Sequence, residues 1–188
     1  MNIIVFPHKI QEFFFKPDSS LVRGSEDYFP PDIVKEMSVA LSVVVKIAKS
    51  AKCISGGFAA RYYNEYGLGI TIYPDNLINS ALNTIFSSGK ALSSDNTAYV
   101  TEKFFSIDNI RNGGCLVFMI NEKVIFNSSF GSELKADIDK SLEDATQYIT
   151  LKRGDLLFLE LTEREPVNIG DNLKLSYSRQ NYLDFCIR

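Results

Sequence analysis

The side chains of this sequence that could do chemistry are few and loosely spaced. His8, its single histidine, precedes Glu12 by four positions. An imidazole titrates near neutrality and would serve as a base for a water. A lone histidine in a short loop broken by Pro7 reads instead as a surface residue. Glu160-Leu161-Thr162-Glu163-Arg164-Glu165 carries three carboxylates, the ligand type a hard cation needs. Carboxylates are rarely buried unless paired, so this stretch reads as an exposed charged turn. Lys16, Asp75 and Asp95 are the further polar groups that a fold could gather with Glu160, Glu163 and Glu165 into one pocket.

Asp137, Asp139, Glu143 and Asp144 form an acidic group on a segment of helical periodicity. They mostly avoid its apolar face, which is the pattern of a solvated surface and not of a metal cluster. The three cysteines, Cys53, Cys115 and Cys186, are odd in number and form no CxxC pair, so neither a zinc site nor a disulfide framework is expected. Their apolar surroundings predict small buried hydrophobes.

These groups need elements to position them. Ile3 to Phe6 reads as a short first strand and Phe13 to Phe15 as a second apolar stretch, for the core or for an interface, core being the commoner use. Lys16-Pro17-Asp18-Ser19-Ser20 is a turn in which Pro presets φ. Val39 to Ile47 is a β-branched run of buried-strand length. Ser55 is placed to cap a short helix carrying Phe58, Ala59, Tyr62 and Tyr63, and Gly67 to Ile72 returns to strand. Asp75 or Asn76 starts a helix with Leu77, Ala81, Leu82 and Ile85 on one face. Cys115 to Ile120 and Lys123 to Phe126 form a hairpin around Asn121-Glu122. From Ser132, Leu134, Ile138, Leu142, Ala145 and Ile149 recur at helical spacing. Gly154-Asp155 and Gly170-Asp171 are turns before strands at Leu156 to Leu161 and Leu173 to Tyr177, and Leu183 to Ile187 adds a last strand. Strands outnumber helices, so the class is α+β with a β-rich core.

Composition bounds the rest. A chain of 188 residues with 45% hydrophobic and 23% charged residues is one ordinary globular domain. It should bury roughly 70% of its unfolded surface without a staple. A net charge of −3 and no basic stretch argue against a nucleic-acid partner. No apolar run approaches the ~20 residues of a membrane span. The N-terminus lacks a basic region and a long apolar core, so no signal peptide is expected and a cytoplasmic location is.

The Lys16-to-Leu21 turn, Phe58-Ala59-Ala60-Arg61-Tyr62-Tyr63, the Asn121 hairpin, Leu151-Lys152-Arg153-Gly154-Asp155-Leu156-Leu157 and Ile169-Gly170-Asp171 together resemble the fumarylacetoacetate hydrolase family. The likeness runs from about Phe13 to Arg188. It implies a mixed β-sandwich roll, one domain over residues 1–188 with a shortened N-terminal lid region, and assembly as a homodimer. It also implies a reaction on a dicarbonyl acid at a Mg²⁺ site of three carboxylates, two from a Glu-x-Glu pair on a strand and one from a later Asp. The i, i+2 spacing puts both glutamates on one face of the strand.

On this chain the pair falls on Ala40 and Ser42, or on Ser38 and Ala40 in the neighbouring register, and the Asp on Thr71. The family's Lys falls on Leu92, while Asp95 is kept, and its Arg-Asp pair becomes Asp75-Asn76. The loop that lines the substrate site reads Leu159-Glu160-Leu161-Thr162. The His and Glu of the family's lid have no counterparts at the expected spacing. The resemblance therefore predicts a vestigial pocket at Ala40, Ser42, Thr71, Leu92, Asp95 and Lys16, with no metal, no cofactor and no catalytic residue. The expected function is a non-catalytic binding or assembly module, homodimeric or paired with an active paralogue. The alternative is a divergent hydrolase or isomerase acting on a small dicarbonyl or acylpyruvate-type acid.

Overall fold

The computed structural model describes residues 1–78, 85–108, 114–130 and 133–188. Its first sheet contains β1 (Ile3–Phe6), β2 (Phe14–Lys16), β3 (Leu21–Arg23), β4 (Met37–Ile47), β5 (Tyr63–Pro74), β6 (Ala98–Val100), β7 (Phe105–Ser106), β10 (Leu156–Glu160) and β11 (Glu165–Val167). The second contains β8 (Cys115–Ile120), β9 (Lys123–Ser129), β12 (Asn172–Tyr177) and β13 (Gln180–Cys186). The helices are α1 (Gly56–Ala59), α2 (Asp75–Ile78), α3 (Ile85–Leu92) and α4 (Glu133–Tyr148). The expected class, α+β and β-rich, is the one observed.

The strand order of the large sheet is β2-β1-β10-β4-β5-β6-β3. Its two ends, β2 and β3, are joined only by Pro17 to Ser20, one turn of 3-10 helix. So short a link forces the sheet to curl until its ends meet. Phe14 of β2 accordingly touches Tyr73 of β5 across the curl, with ring centroids 6.0 Å apart. Inside this roll lie Ile3, Val5, Val44, Ala98, Val100, Leu156 and Phe158.

The outer face of the same sheet builds the main core. Strand alternation turns Val39, Leu41, Val43 and Val45 of β4 away from the roll interior and towards the second sheet and α4. Burial on both faces is why β4 reads as a continuous apolar run, with only Lys46 exposed along its length. Tyr99 and Phe185 stack in parallel across this core, centroids 4.0 Å apart. Helix α4 lays Leu134, Ile138, Leu142 and Ala145 against it at the expected spacing. Fully burying each Leu or Ile there contributes about 1.5–3 kcal/mol.

The turns follow local chemistry. Asn121 and Glu122 both take positive φ, 48° and 66°, as a two-residue hairpin between twisted strands requires. Ser178 and Arg179 do the same between β12 and β13, at 50° and 67°. Gly154 and Gly170 have φ of 93° and 98°, where glycine is needed. Each neighbouring aspartate then ties its turn. The Asp155 carboxylate accepts from the Asn2 and Lys152 backbone N–H groups, both at 2.8 Å, and Asp171 accepts from Asn168 N–H at 2.7 Å.

Several expectations need correction. Cys53 and Cys115 are exposed and Cys186 half-buried: Cys53 sits in a bend at positive φ, and Cys115 and Cys186 stand at the ends of β8 and β13. Tyr63 opens β5 instead of extending α1, and Ser55 precedes α1 without a side-chain cap bond. Phe15 is 42% exposed, on the outward side of the edge strand β2. Of the expected helix after Asp75, α2 and α3 are observed, while Ala81 and Leu82 lie outside the described residues, as does Ser132. The short strands β3, β6, β7 and β11 have two or three residues each and were not foreseen.

Candidate functional site

Register decides what meets inside the roll. Ala40 pairs with Thr71 and Ser42 with Gly69 across β4 and β5, and Ser42 pairs with Glu160 across β4 and β10. Directly paired residues point to the same face, so Ser38, Ala40, Ser42, Thr71, Tyr73 and Glu160 all turn inward. Ala40, Ser42 and Thr71 are completely buried. The Ser42 and Thr71 hydroxyls lie 3.4 Å apart. At Gly69 an added Cβ would stand 2.6 Å from the Tyr99 carbonyl oxygen and 2.7 Å from Val44 Cγ2, so the floor has no spare room.

The three positions singled out by the resemblance are therefore adjacent in space, and none carries a carboxylate. A cation is present at the same end of the roll. Lys16, the last residue of β2, is only 2% exposed. Its ammonium donates to Leu92 O at 2.9 Å and to Thr97 Oγ1 at 2.7 Å, both neutral acceptors. It also lies 5.9 Å from the ring centroids of Phe14 and Tyr73. Burial lowers its pKa to about 7; the Glu160 charge opposes that shift and Arg164 adds to it.

Glu160 is the anionic counterpart, 6% exposed and not the exposed turn residue expected from its neighbours. It accepts a very short hydrogen bond from the Tyr73 hydroxyl. Burial raises its pKa to about 7 against the pull of Tyr73, Arg164, the His8 backbone N–H and Lys16. Arg164 covers the Tyr73 ring at 3.6 Å from its centroid and faces Asp75 at 3.7 Å. Tyr73 and Arg164 were not foreseen. A signal for Glu160 existed, since Leu156, Phe158 and Glu160 share one strand face and the first two are core.

The other expected pocket residues scatter. Asp95 is exposed and accepts from Ser19 Oγ at 2.6 Å, tying two turns together outside the roll. Leu92 offers Lys16 its carbonyl only. Glu163 is exposed, and Glu165 starts β11 opposite Val39. His8 is half-buried, not a free surface residue, and its Nδ1 is enclosed without a hydrogen-bond partner. Burial, then Lys9, holds its pKa below the usual histidine range. Among the described residues, no three His, Cys, Asp or Glu side chains converge as metal ligands would.

Beyond the end of β1 a cavity of about 440 Å³ opens between the segment Phe6 to Gln11, α4 and the end of β10. Phe6, Leu159 and Leu161 line it with apolar surface, and Asp137, Lys140, Ser141 and Asp144 form its helical wall. Glu160 lies on its border, between this cavity and the roll interior.

No family profile matches the chain, and no curated protein is significantly similar to it. Solved structures do share its fold. A fumarylacetoacetate hydrolase family protein from Yersinia pestis CO92 superposes with a TM-score of 0.78 at 17% identity, covering 100% of this chain and 92% of the other. A fumarylpyruvate hydrolase from Pseudomonas aeruginosa, in complex with Mn²⁺ and pyruvate, gives 0.81 at 11% identity, with 100% and 90% covered. A 5-carboxymethyl-2-hydroxymuconate delta-isomerase from Mycobacterium smegmatis gives 0.80 at 15%, with 99% and 78% covered. The chain has the fold of fumarylacetoacetate hydrolase family proteins, as its turns and their order led us to expect. No described helix is long and apolar enough to cross a membrane.

Proposed function

We infer that this chain is a non-catalytic protein of the fumarylacetoacetate hydrolase fold that works as a binding or assembly module. One observation carries the reading. Where the family would hold a cation, Ala40, Ser42 and Thr71 meet in a buried roll interior that also contains the Lys16 amine. A hard divalent cation needs charged oxygen ligands, several of them, in an open coordination shell. Two neutral hydroxyls and a methyl group do not supply them. Glu160 is committed to Tyr73, and the Arg164 charge beside it disfavours a second cation. The residues present do not fit Mg²⁺ or Mn²⁺, and no catalytic step is derived through either.

Titration with Mg²⁺ and Mn²⁺, read by calorimetry and thermal shift, tests this. A ligand that binds the folded chain alone must raise its apparent stability. Neither heat nor shift at millimolar metal is the expected result, and saturable binding would overturn the reading. The assembly expected is a homodimer, checked by sedimentation; co-purification with an intact paralogue would extend it to a mixed one.

A second reading, a divergent hydrolase or isomerase acting on a small acylpyruvate-type acid, is favoured by one feature. Lys16 and Glu160, both shifted to about 7, are matched for proton transfer at neutral pH. The fold's occurrence in hydrolases and isomerases is in keeping with it. Turnover of an acylpyruvate that Glu160→Gln abolishes would establish that reading, and its absence would leave the pair a purely structural one.

A further inference from the structure

The polar residues of α4 divide into two sets. Asp139 is engaged, accepting from Tyr63 OH at 2.6 Å and pairing with Lys135 at 3.0 Å. Asp137, Lys140, Ser141 and Asp144 recur at i, i+3, i+4 and i+7, which puts them on one stripe. That stripe faces the 440 Å³ cavity, and none of the four makes a side-chain hydrogen bond or ion pair among the described residues. The opposite wall brings Lys9 and Gln11, equally unengaged, and His8 with its enclosed Nδ1. Phe6, Leu159 and Leu161 give the space an apolar lining.

A cavity of this size with an apolar lining and a few convergent polar groups is the general form of a small-molecule site. The signs of its charges select the ligand. A simple anion would meet Lys140 and Lys9 but also Asp137 and Asp144. A simple cation would meet the carboxylates but also both lysines. A molecule carrying both charges at one end, with an apolar tail for the lining, satisfies every wall.

We propose that the cavity between the Phe6–Gln11 segment and α4 binds a small zwitterion with an apolar side chain, of the α-amino acid class. Lys140 and Lys9 take its carboxylate, Asp137 and Asp144 its ammonium, and Phe6, Leu159 and Leu161 its side chain. This names the ligand site of the binding module and rests on that reading. It needs nothing from the Ser42 and Thr71 floor.

The test is amide chemical-shift mapping on the whole ¹⁵N-labelled chain with leucine, 4-methylpentanoate and isoamylamine. The expected result is saturable perturbation by leucine confined to residues 6–11, 137–144 and 159–161. Either single-charge analogue should bind about tenfold more weakly, since each loses one charged hydrogen-bonding group. Asp144→Asn should weaken leucine by a similar factor with an unchanged melting temperature. No perturbation by leucine, an analogue that matches it, or shifts centred elsewhere would overturn the proposal. Adding Mn²⁺ to the same sample separates the two readings. Broadening around Ser42 and Thr71 would overturn the non-catalytic reading while leaving the cavity assignment intact.

Discussion

The roll interior and the cavity under the N-terminal loop lie on either side of Glu160, yet they treat polar groups in opposite ways. Inside the roll, Ser42 faces Thr71, Lys16 is held by Leu92 O and Thr97, and Glu160 is held by Tyr73. Each of these groups answers another, as buried polar groups generally do, while the inward-facing Ser38 hydroxyl has no partner among the described residues. In the cavity, Asp137, Lys140 and Asp144 answer nothing within the described chain. Polar groups that satisfy one another stabilise a fold; groups left open to a cavity are available to a ligand. The roll interior around Ala40, Ser42 and Thr71 is packed and largely self-satisfied, and the cavity beside it is where the proposed binding would occur.

Gly69→Ala should break the roll most severely. Its Cβ would meet a backbone carbonyl and two core side chains, so a loss of about 3 kcal/mol is expected by urea denaturation. A loss below 1 kcal/mol would mean, on that scale, that the interior is looser than its packing indicates.

Between about 7 and 10.5, the unfolded chain keeps a proton on Lys16 that the folded chain has released, so stability should rise with pH across that window. Between 4.5 and about 7, folded Glu160 holds a proton that the unfolded chain has lost, so stability should rise as pH falls across that window. The pair therefore contributes least near neutrality. Relative to Lys16→Met, the wild-type chain should gain on the order of 1 kcal/mol per pH unit above 7. A pH-independent difference would show that Lys16 titrates normally.

The double variant Ser42→Ala/Thr71→Val should cost under about 1 kcal/mol, because removing both partners of a hydrogen bond leaves neither orphaned. Asp144→Asn should change stability least, by under about 0.5 kcal/mol in thermal melts, since its carboxylate holds nothing in the fold. A larger loss there would make the cavity wall part of the core and remove the contrast.

What could be read early was local. The α4 stripe, the Asn121-Glu122 hairpin, the two Gly-Asp turns and the unbroken apolar run of β4 each follow from spacing or backbone preference within one segment. The adjacency of Ala40, Ser42 and Thr71 was legible only through resemblance, and the register of β4 and β5 supports it. Strands of two or three residues, such as β3 and β7, carry too few positions for a period to show. The exposure of Cys53 and Cys115 depended on what packs over them, which no local pattern states.

Residue order alone dictates which side chains alternate, where the Gly-Asp and Asn-Glu turns fall, and that no carboxylate stands at positions 40, 42 and 71. It took the fold to bury Lys16 and Glu160 together, to turn Asp95 away, and to set Asp137, Lys140, Ser141 and Asp144 beside a cavity, with Asp137 and Lys140 still exposed to solvent. The reason is physical. Alternation and turn chemistry act over a few residues, whereas burial, desolvation and shifted pKa values arise when strands distant in sequence close a sheet into a roll.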